Sequence, residues 1–325
     1  MLLAAATILV GFIILIWSAD LFVAGAASIA ENAGMSPIII GLTIVSLGTS
    51  APEILVSITA ALAGSGEIAI GNAIGSNIAN IGLVLGVTIL IAPLSVHPSC
   101  MRQELPTLLL VTLGVGLLLL DFTLAAFDGW LMVIVLFIIV ARMIKGQTKD
   151  PTLLEEASEE PLQQLKPMRA WLTFLLGLAL LIGSSRMLVW GASEVATALG
   201  VSELVIGLTV LAIGTSLPEL AATVASALRG HTEIAVGNVI GSNLFNLLAV
   251  LAIPGIVRQE NLDPMVLNRD YAAMTLATLL LAFFIYTGRY RSKSPAQGHA
   301  YIGRAAGILL VLFYGLYYYG LYLTT

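Results

Sequence analysis

Long apolar runs separated by short polar gaps make up most of this chain. Nine gaps interrupt the apolar sequence, at residues 31–37, 64–67, 93–104, 121–128, 145–168, 194–203, 229–233, 258–270 and 288–304. Several of the runs between them reach the roughly 20 residues that a helix needs to cross the hydrocarbon core of a membrane. The pattern therefore predicts an all-α polytopic membrane protein with ten transmembrane helices.

Composition agrees with this prediction. Of 325 residues, 58% are hydrophobic and 10% are charged, whereas roughly a quarter of the residues in a soluble domain are charged. The single cysteine, Cys100, excludes an internal disulfide and a multi-thiolate metal site. The net charge of −5 comes mostly from an acidic cluster at residues 155–160, so it carries no information about ligands.

The chain is internally duplicated. A shift of 166 residues superimposes residues 41–81 on residues 207–247 without a gap, and 21 of the 41 pairs are identical. The shared segments include GTS-x-PE and GN-x-IGSN. The duplication predicts two five-helix halves, residues 1–145 and 169–325, joined by a polar linker at residues 146–168.

An odd number of spans in each half requires the second half to be inverted relative to the first. Assigning alternate gaps to opposite sides places eleven Lys and Arg residues on the side of the linker and two, Arg258 and Arg269, on the other side. The positive-inside rule then predicts a cytoplasmic linker and both termini outside.

Each GTS-x-PE segment places an acid at membrane depth, Glu53 in the first half and Glu219 in the second. An ionisable residue in a span is a functional candidate by default. Gly and Pro beside it interrupt the helix and leave carbonyl groups free, which is tolerated where protein or a cavity surrounds them. Paired interruptions in inverted halves indicate a transporter's midplane binding site.

Hydroxyl and amide groups accompany the two acids at helical spacing. Thr49 and Thr215 precede the acids by four residues, and polar residues four apart follow in the next span: Asn72, Ser76 and Asn80, with Asn238, Ser242 and Asn246. Carboxylate, hydroxyl, amide and carbonyl oxygens are the ligands of a hard cation such as Ca²⁺ or Na⁺. The sequence therefore predicts one cation site shared by the two halves.

The duplicated GTS-x-PE and GN-x-IGSN-x-x-N motifs resemble the α-repeats of the calcium:cation antiporter superfamily, in its prokaryotic sodium/calcium exchanger branch. The resemblance implies exchange of Ca²⁺ for Na⁺ by alternating access. It also implies a set of ligands at the matching positions: Ser46, Thr49, Ser50, Glu53, Ser76, Asn80, Ala212, Thr215, Ser216, Glu219, Ser242 and Asn246. Ser46 and Ala212 would contribute backbone carbonyls. Some relatives carry an aspartate at the position of Asn246, so this site has two formal negative charges.

Two alternatives stay open at this stage. The counter-ion can be H⁺, because carboxylates accept protons as well as sodium, and a passive cation channel is a second possibility. Catalytic motifs are missing from the sequence, so an enzyme is not expected. The expected substrates are Ca²⁺ and Na⁺ or H⁺ in a lipid bilayer, without a cofactor, nucleic acid or obligate protein partner. A prokaryotic cytoplasmic membrane is the expected location.

Other polar residues receive weaker interpretations. Asp20 and Arg186 occupy equivalent positions under the 166-residue shift. Each is expected to form an interface pair or a hydrogen bond at the edge of a gate, with steering of ions as the alternative. Asp270 is expected to be a solvated cap at a span end. The aromatic group near the C-terminus, which includes Tyr314, Tyr317 and Tyr318, is expected to be an interfacial belt.

Overall fold

The computed structural model describes residues 2–147, 165–200, 212–291 and 299–324, and nearly all of its secondary structure is helical. The helices are α1 (Leu2–Ala33), α2 (Pro37–Thr49), α3 (Ala51–Leu62), α4 (Gly66–Ile91), α5 (Cys100–Asp121), α6 (Ala126–Gln147), α7 (Pro167–Ala198), α8 (Ala212–Thr215), α9 (Leu217–Leu228), α10 (Thr232–Val257), α11 (Val266–Gly288) and α12 (Arg304–Thr324). The strands are β1 (Leu94–Val96), β2 (Thr123–Leu124), β3 (Glu260–Asn261) and β4 (Ala300–Ile302).

In this described part of the chain, eight helices are long and apolar enough to cross a membrane. The pair α2 and α3, bent by 45° at their junction, gives a ninth span if it is counted as one. A tenth predicted span would combine α8 and α9 with residues 204–211, which lie outside the described residues. The protein is therefore an α-helical polytopic membrane protein, and the count of ten stays a prediction. Most of the linker, with its acidic cluster, and residues 207–211 of the second repeat also lie outside the described residues.

Two small antiparallel sheets join connections from different halves. β1 pairs with β4, and β2 pairs with β3. The predicted alternation of spans puts β1 and β4 on the side of the linker and β2 and β3 on the opposite side. Because strands can pair only on one side of a membrane, this pairing agrees with the alternation, although the absolute orientation stays a prediction.

α1 and α7 cross each other at glycines. A Cβ on Gly25 would lie 2.5 Å from the backbone nitrogen of Phe174, and one on Gly177 would lie 2.5 Å from that of Phe22. The rings of Phe22 and Phe174 stack there at 4.8 Å. Close contacts of Gly191 with Ile8 and of Gly11 with Leu188 are the same two contacts after the 166-residue shift. The crossing is therefore symmetric between the two halves.

A second glycine crossing holds α2 against α10. A Cβ on Gly237 would approach the carbonyl of Ile38 to 2.5 Å, and one on Gly241 would approach the carbonyl of Leu42 to 2.6 Å. Small residues that let two backbones approach are typical of helix packing in membranes, where the hydrophobic effect does not drive helices together. This crossing brings the interrupted span of the first half beside the polar span of the second.

Buried apolar side chains form two separate clusters in the described residues. The larger one is built mainly from α4, α5, α10, α11 and α12, and the smaller one joins α1 and α7 with parts of α2 and α9. Large exposed apolar side chains cover the outer faces of α1, α6 and α12, where lipid is expected. α1 and α7 thus form a layer with its own core beside the main bundle.

The α1–α7 crossing generates a prediction about stability. Gly177→Ala should lower the temperature at which half of the detergent-solubilised protein aggregates by several degrees, because overpacking of a tight contact costs about 1–3 kcal/mol. Gly183→Ala on the same helix is the matched control, since a Cβ there meets no described atom within 4 Å. Size-exclusion profiles after heating give the measurement, and equal temperatures for both variants would contradict the crossing.

Candidate cation-binding site

Breaks in two helices position the two acidic side chains. A single residue, Ser50, separates the end of α2 from the start of α3. Pro52, in the first turn of α3, lacks the N–H group that would continue the helical hydrogen bonds across this break. Glu53 follows in that same turn. The second half repeats the arrangement with Pro218 and Glu219 in the first turn of α9. Each carboxylate therefore lies near a helix N-terminus, where the helix dipole stabilises negative charge.

Both carboxylates are buried inside the protein. Glu53 and Glu219 are each 1% exposed. In each of them Oε2 is buried and has no hydrogen-bond partner among the described residues. Neither side chain is therefore exposed to lipid.

Hydrogen bonds connect the polar groups of one half to those of the other. The Ser50 hydroxyl donates to Oε1 of Glu219 at 3.3 Å. The Thr49 hydroxyl donates to Oδ1 of Asn238 at 3.2 Å, and Asn238 in turn donates to the hydroxyl of Thr223 at 2.9 Å. The GTS-x-PE segment of the first half thus lies directly against the polar groups of α9 and α10.

The polar residues of α4 and α10 lie where these helices widen into π-helical turns. Asn80 begins the turn Asn80–Leu85, and Asn246 begins the equivalent turn Asn246–Val250. Such turns leave the regular hydrogen-bonding ladder and occur frequently at functional sites. Ser76, Asn80, Ser242 and Asn246 are all buried.

Several polar atoms of these residues are buried without a partner in the part of the chain that the structure describes. They are Oδ1 of Asn80, Oγ of Ser216, Oγ of Ser242 and both amide atoms of Asn246. Buried polar groups in proteins are almost always hydrogen-bonded, so a cluster of exceptions requires an explanation. Together with Oε2 of Glu53 and Oε2 of Glu219 they make seven atoms, of which six are oxygens, the atoms that bind a hard cation, and the seventh is the amide nitrogen of Asn246, which is a donor.

The remaining predicted ligands differ in their surroundings. The carbonyl of Ser46 accepts a hydrogen bond from the Ser50 N–H at 2.9 Å and lies 3.3 Å from the Thr49 hydroxyl. Ala212 is the first described residue of α8. Thr215 is half-buried and borders a cavity.

The cavity beside Thr215 has a volume of about 320 Å³. It is also lined by Asn72 and Ser76 of α4, by Asp270 of α11 and by Tyr317 of α12. A Cβ on Gly71 or Gly75, which also line it, would meet no described atom within 4 Å. The cavity therefore borders the predicted site at Ser76 and Thr215.

Sequence reasoning missed a pair of asparagines. Asn77 donates to the backbone carbonyl of Asn243 at 3.3 Å, and Asn80 donates to Oδ1 of Asn243 at 3.2 Å. Asn77 and Asn243 are equivalent under the 166-residue shift, and both belong to the GN-x-IGSN motif. Their identity in the two repeats was a signal, but they lie outside the series of polar residues spaced four apart, Asn72, Ser76 and Asn80.

The weaker interpretations have mixed outcomes. Interface pairing is confirmed for Asp20, which forms an ion pair with Arg229 and so joins α1 to the end of α9, whereas Arg186 is exposed. Asp270 is not a solvated cap, because its side chain is 14% exposed and contacts Arg269. Tyr317 is more than part of an aromatic belt, since its hydroxyl donates to Asp270 at 3.0 Å.

The donor set of the site consists of oxygen atoms, apart from the amide nitrogens. Within the described ranges no group of three or more His, Cys, Asp and Glu side chains could hold a metal ion. Two carboxylates with hydroxyl and amide oxygens instead suit a hard cation that is bound reversibly. Of the predicted ligands, Ser76 and Thr215 border the cavity described above.

Comparison with known proteins gives a consistent result. The family described as "Sodium/calcium exchanger protein" matches residues 3–145 and 169–323. A putative antiporter CaxA from Alkalimonas amylolytica is 44% identical over 322 residues, with 98% of each chain covered. The inner membrane protein YrbG of Escherichia coli (strain K12) is 41% identical over 319 residues, with 95% of this chain and 94% of YrbG covered.

Solved structures agree with the sequence comparisons. The sodium-calcium exchanger NCX_Mj, soaked with 2.5 mM Na⁺ and 0.1 mM Ca²⁺, superimposes with a TM-score of 0.81 at 31% identity, covering 97% of both chains. The family match extends over both halves of the chain and includes both interrupted helices with their acids. The chain belongs to the sodium/calcium exchanger family of membrane antiporters.

Proposed function

We propose that the protein exchanges Ca²⁺ for Na⁺ across a prokaryotic cytoplasmic membrane and that both ions bind between Glu53 and Glu219. One observation carries the proposal: two buried carboxylates from duplicated segments each have an unpartnered oxygen atom, and Ser50 of the segment that carries Glu53 donates a hydrogen bond to Glu219. Around them lie the unpartnered hydroxyl and amide oxygens of Ser216, Ser242 and Asn246.

Charge balance links binding to transport in this proposal. Two carboxylates carry a charge of about −2 when ionised, and one Ca²⁺ or two Na⁺ cancel it. Moving an uncompensated charge past an apolar barrier costs several kcal/mol after desolvation. The empty site therefore resists the change between outward and inward access, and the loaded site permits it. Because Ca²⁺ and Na⁺ use the same oxygens, each displaces the other.

The layered packing supports a mechanism of alternating access. α1 and α7 have an apolar cluster of their own, and α1 also packs against α9, which carries Glu219. Movement of this layer along the bundle would expose the site to one side and then to the other, as inverted halves around a fixed site allow. The cavity of about 320 Å³ supports access from a single side in the present state.

The names of the relatives favour sodium as the counter-ion, since NCX_Mj is a sodium-calcium exchanger. Protons remain the competing candidate because they can neutralise the same carboxylates. A passive channel is the less favoured alternative, because channels usually gather rings of carboxylates from several subunits, whereas here the two halves of one chain supply both. Inverted halves of residues 1–145 and 169–325, a cytoplasmic linker at residues 146–168 and external termini complete the proposed architecture.

Binding can be tested separately from transport. Saturating Ca²⁺ should raise the thermal stability of the detergent-solubilised protein, by about 2.7 kcal/mol at a hundred times the dissociation constant. Glu53→Gln and Glu219→Gln should stay folded and lose this stabilisation, because each removes one of the two charges. Glu260→Gln is the matched control, being a buried acid on β3. Calcium stabilisation that persists in both site variants would exclude the proposed ligands.

Transport and counter-ion can be tested in proteoliposomes with radiolabelled Ca²⁺. An outward Na⁺ gradient should drive uptake, and a pH gradient without Na⁺ should not. Glu53→Gln should reduce uptake at least about a hundredfold, a loss equal to about 2.7 kcal/mol, while Glu260→Gln should retain it. Uptake driven by pH alone would identify the counter-ion as H⁺. Flux without a counter-ion gradient or trans-stimulation would indicate a channel.

The number of coupled cations should follow the number of carboxylates. Asn246→Asp adds a third negative charge to the site, so the charge moved per Ca²⁺ should change by about one elementary charge, because a third Na⁺ is then needed for neutrality. The reversal potential of Ca²⁺ flux under a clamped membrane potential gives this quantity. Asn261→Asp on β3 is the control. An unaltered reversal potential in Asn246→Asp would contradict the charge count.

A further inference from the structure

Two acids outside the candidate site occupy equivalent positions in the two halves. The 166-residue shift that relates the repeats also superimposes Glu104 on Asp270. Each lies in a π-helical turn that begins a span, Cys100–Glu104 at the start of α5 and Val266–Tyr271 at the start of α11. The sequence placed both acids in polar gaps between spans, whereas the structure places them inside the helices.

The two acids lie near opposite ends of the bundle. α5 runs from the connection that contains β1 to the one that contains β2, and its 22 residues extend about 33 Å, enough to cross the hydrocarbon core. The β1–β4 sheet and the β2–β3 sheet therefore lie on opposite sides. Glu104 follows β1, and Asp270 follows β3, so one acid belongs to each side.

The surroundings of the two acids differ in the present state. Asp270 lines the cavity that also contacts the predicted ligands Ser76 and Thr215. Its carboxylate accepts hydrogen bonds from Arg269 at 2.8 Å and from Tyr317 at 3.0 Å. Glu104 is only 3% exposed, and its Oε2 is buried without a partner among the residues described here.

We propose that Asp270 and Glu104 are a matched pair of access carboxylates, each of which receives a partly hydrated divalent cation on its own side of the membrane before the cation reaches the central site. This inference rests on the proposed cation exchange. Asp270 serves the route that is open in this state, and Glu104 serves the opposite route, which is closed here.

The chemistry of the two positions supports this role. A carboxylate beside a cavity raises the local concentration of cations through its field, and the low-dielectric walls strengthen that field. Burying an acid without a partner is unfavourable and is retained in membrane proteins mainly where ions pass. Glu104 is such an acid, and opening of its route would expose the unpartnered oxygen to an arriving cation.

Arg269 makes the two positions unequal. It contacts the carboxylate of Asp270, whereas the residue equivalent to Arg269 beside Glu104 is the uncharged Gln103. A guanidinium group beside the acid competes with an arriving cation and reduces its attraction. The outer access carboxylate should therefore attract Ca²⁺ less strongly than the inner one, when the linker side is taken as inner.

The test uses Ca²⁺ uptake into membrane vesicles of both orientations, which present either the outer or the inner side to added Ca²⁺. Asp270→Asn should raise the apparent KM for Ca²⁺ added to the outer side about tenfold, because field-driven capture is lost, and should leave the inner KM unchanged. Glu104→Gln should do the reverse. Both effects should shrink as choline chloride raises the ionic strength, because salt screens the field.

Matched variants separate capture from folding. Asp128→Asn removes a charge at the start of α6, on the same predicted side as Asp270 but outside the cavity lining, and it should leave both KM values unchanged. Glu104→Asp and Asp270→Glu keep the charges and should restore KM. If Glu104→Gln does not fold, the inner position can still be tested with Glu104→Asp at low and at high ionic strength. An inner KM for Ca²⁺ that does not change with ionic strength in this variant would overturn the proposal.

The remaining outcomes decide between the two proposals. An Asp270→Asn or Glu104→Gln variant that folds like the wild-type protein and changes KM for Ca²⁺ equally on both sides, or on neither side, would overturn the role of the access carboxylates. Either result would leave the proposed Ca²⁺ exchange unaffected. Loss of calcium-induced thermal stabilisation in Asp270→Asn would assign Asp270 to the central site and would also overturn it. Absence of Ca²⁺ uptake in the wild-type protein under every gradient would overturn the proposed exchange and this inference together.

Discussion

Two carboxylates buried at 1% exposure each set the constraint on which the other features depend. An ionised acid in a low-dielectric interior costs several kcal/mol unless a partner compensates its charge. In the part of the chain that the structure describes, the ion pairs involve other acids, and neither Glu53 nor Glu219 forms one. In the proposed function, the transported cations supply this compensation. Such a site would couple the departure of one cation to the arrival of another.

Duplication of the GTS-x-PE segment solves the geometric part of this problem. A broken helix places an acid in the first turn of a new helix, but one such segment supplies only one side of a site. The second copy supplies the other side, and the hydrogen bond from Ser50 to Glu219 shows how closely the two approach. Glycines at the α2–α10 crossing remove the side chains that would otherwise separate the halves.

The sequence predicted those features that depend on periodicity and repetition, namely the apolar spans, the interrupted helices and the burial of both acids. It did not predict features that depend on how helices from different halves meet. Asp20 pairs with Arg229 although the two residues are 209 positions apart in the chain. The polar sequence around Asp270 is typical of a solvated connection, but in the structure Asp270 belongs to α11 and accepts a hydrogen bond from Tyr317. Asn77 and Asn243 were identical in both repeats, but only the α4–α10 contact reveals their pairing. Local patterns fix helices, whereas long-range contacts fix the partners of polar groups.

Equivalent residues of the two halves differ in their described surroundings. Gly237 and Gly241 are packed against the backbone of α2, while their equivalents Gly71 and Gly75 line a cavity. The residues equivalent to the α2 contacts, 204–208, lie outside the described part of the chain, so the cavity itself is the direct observation. In the proposed exchange, alternating access requires each half to adopt the arrangement of the other in turn. The free energy difference between the two arrangements then has to be small enough for a bound ion to influence.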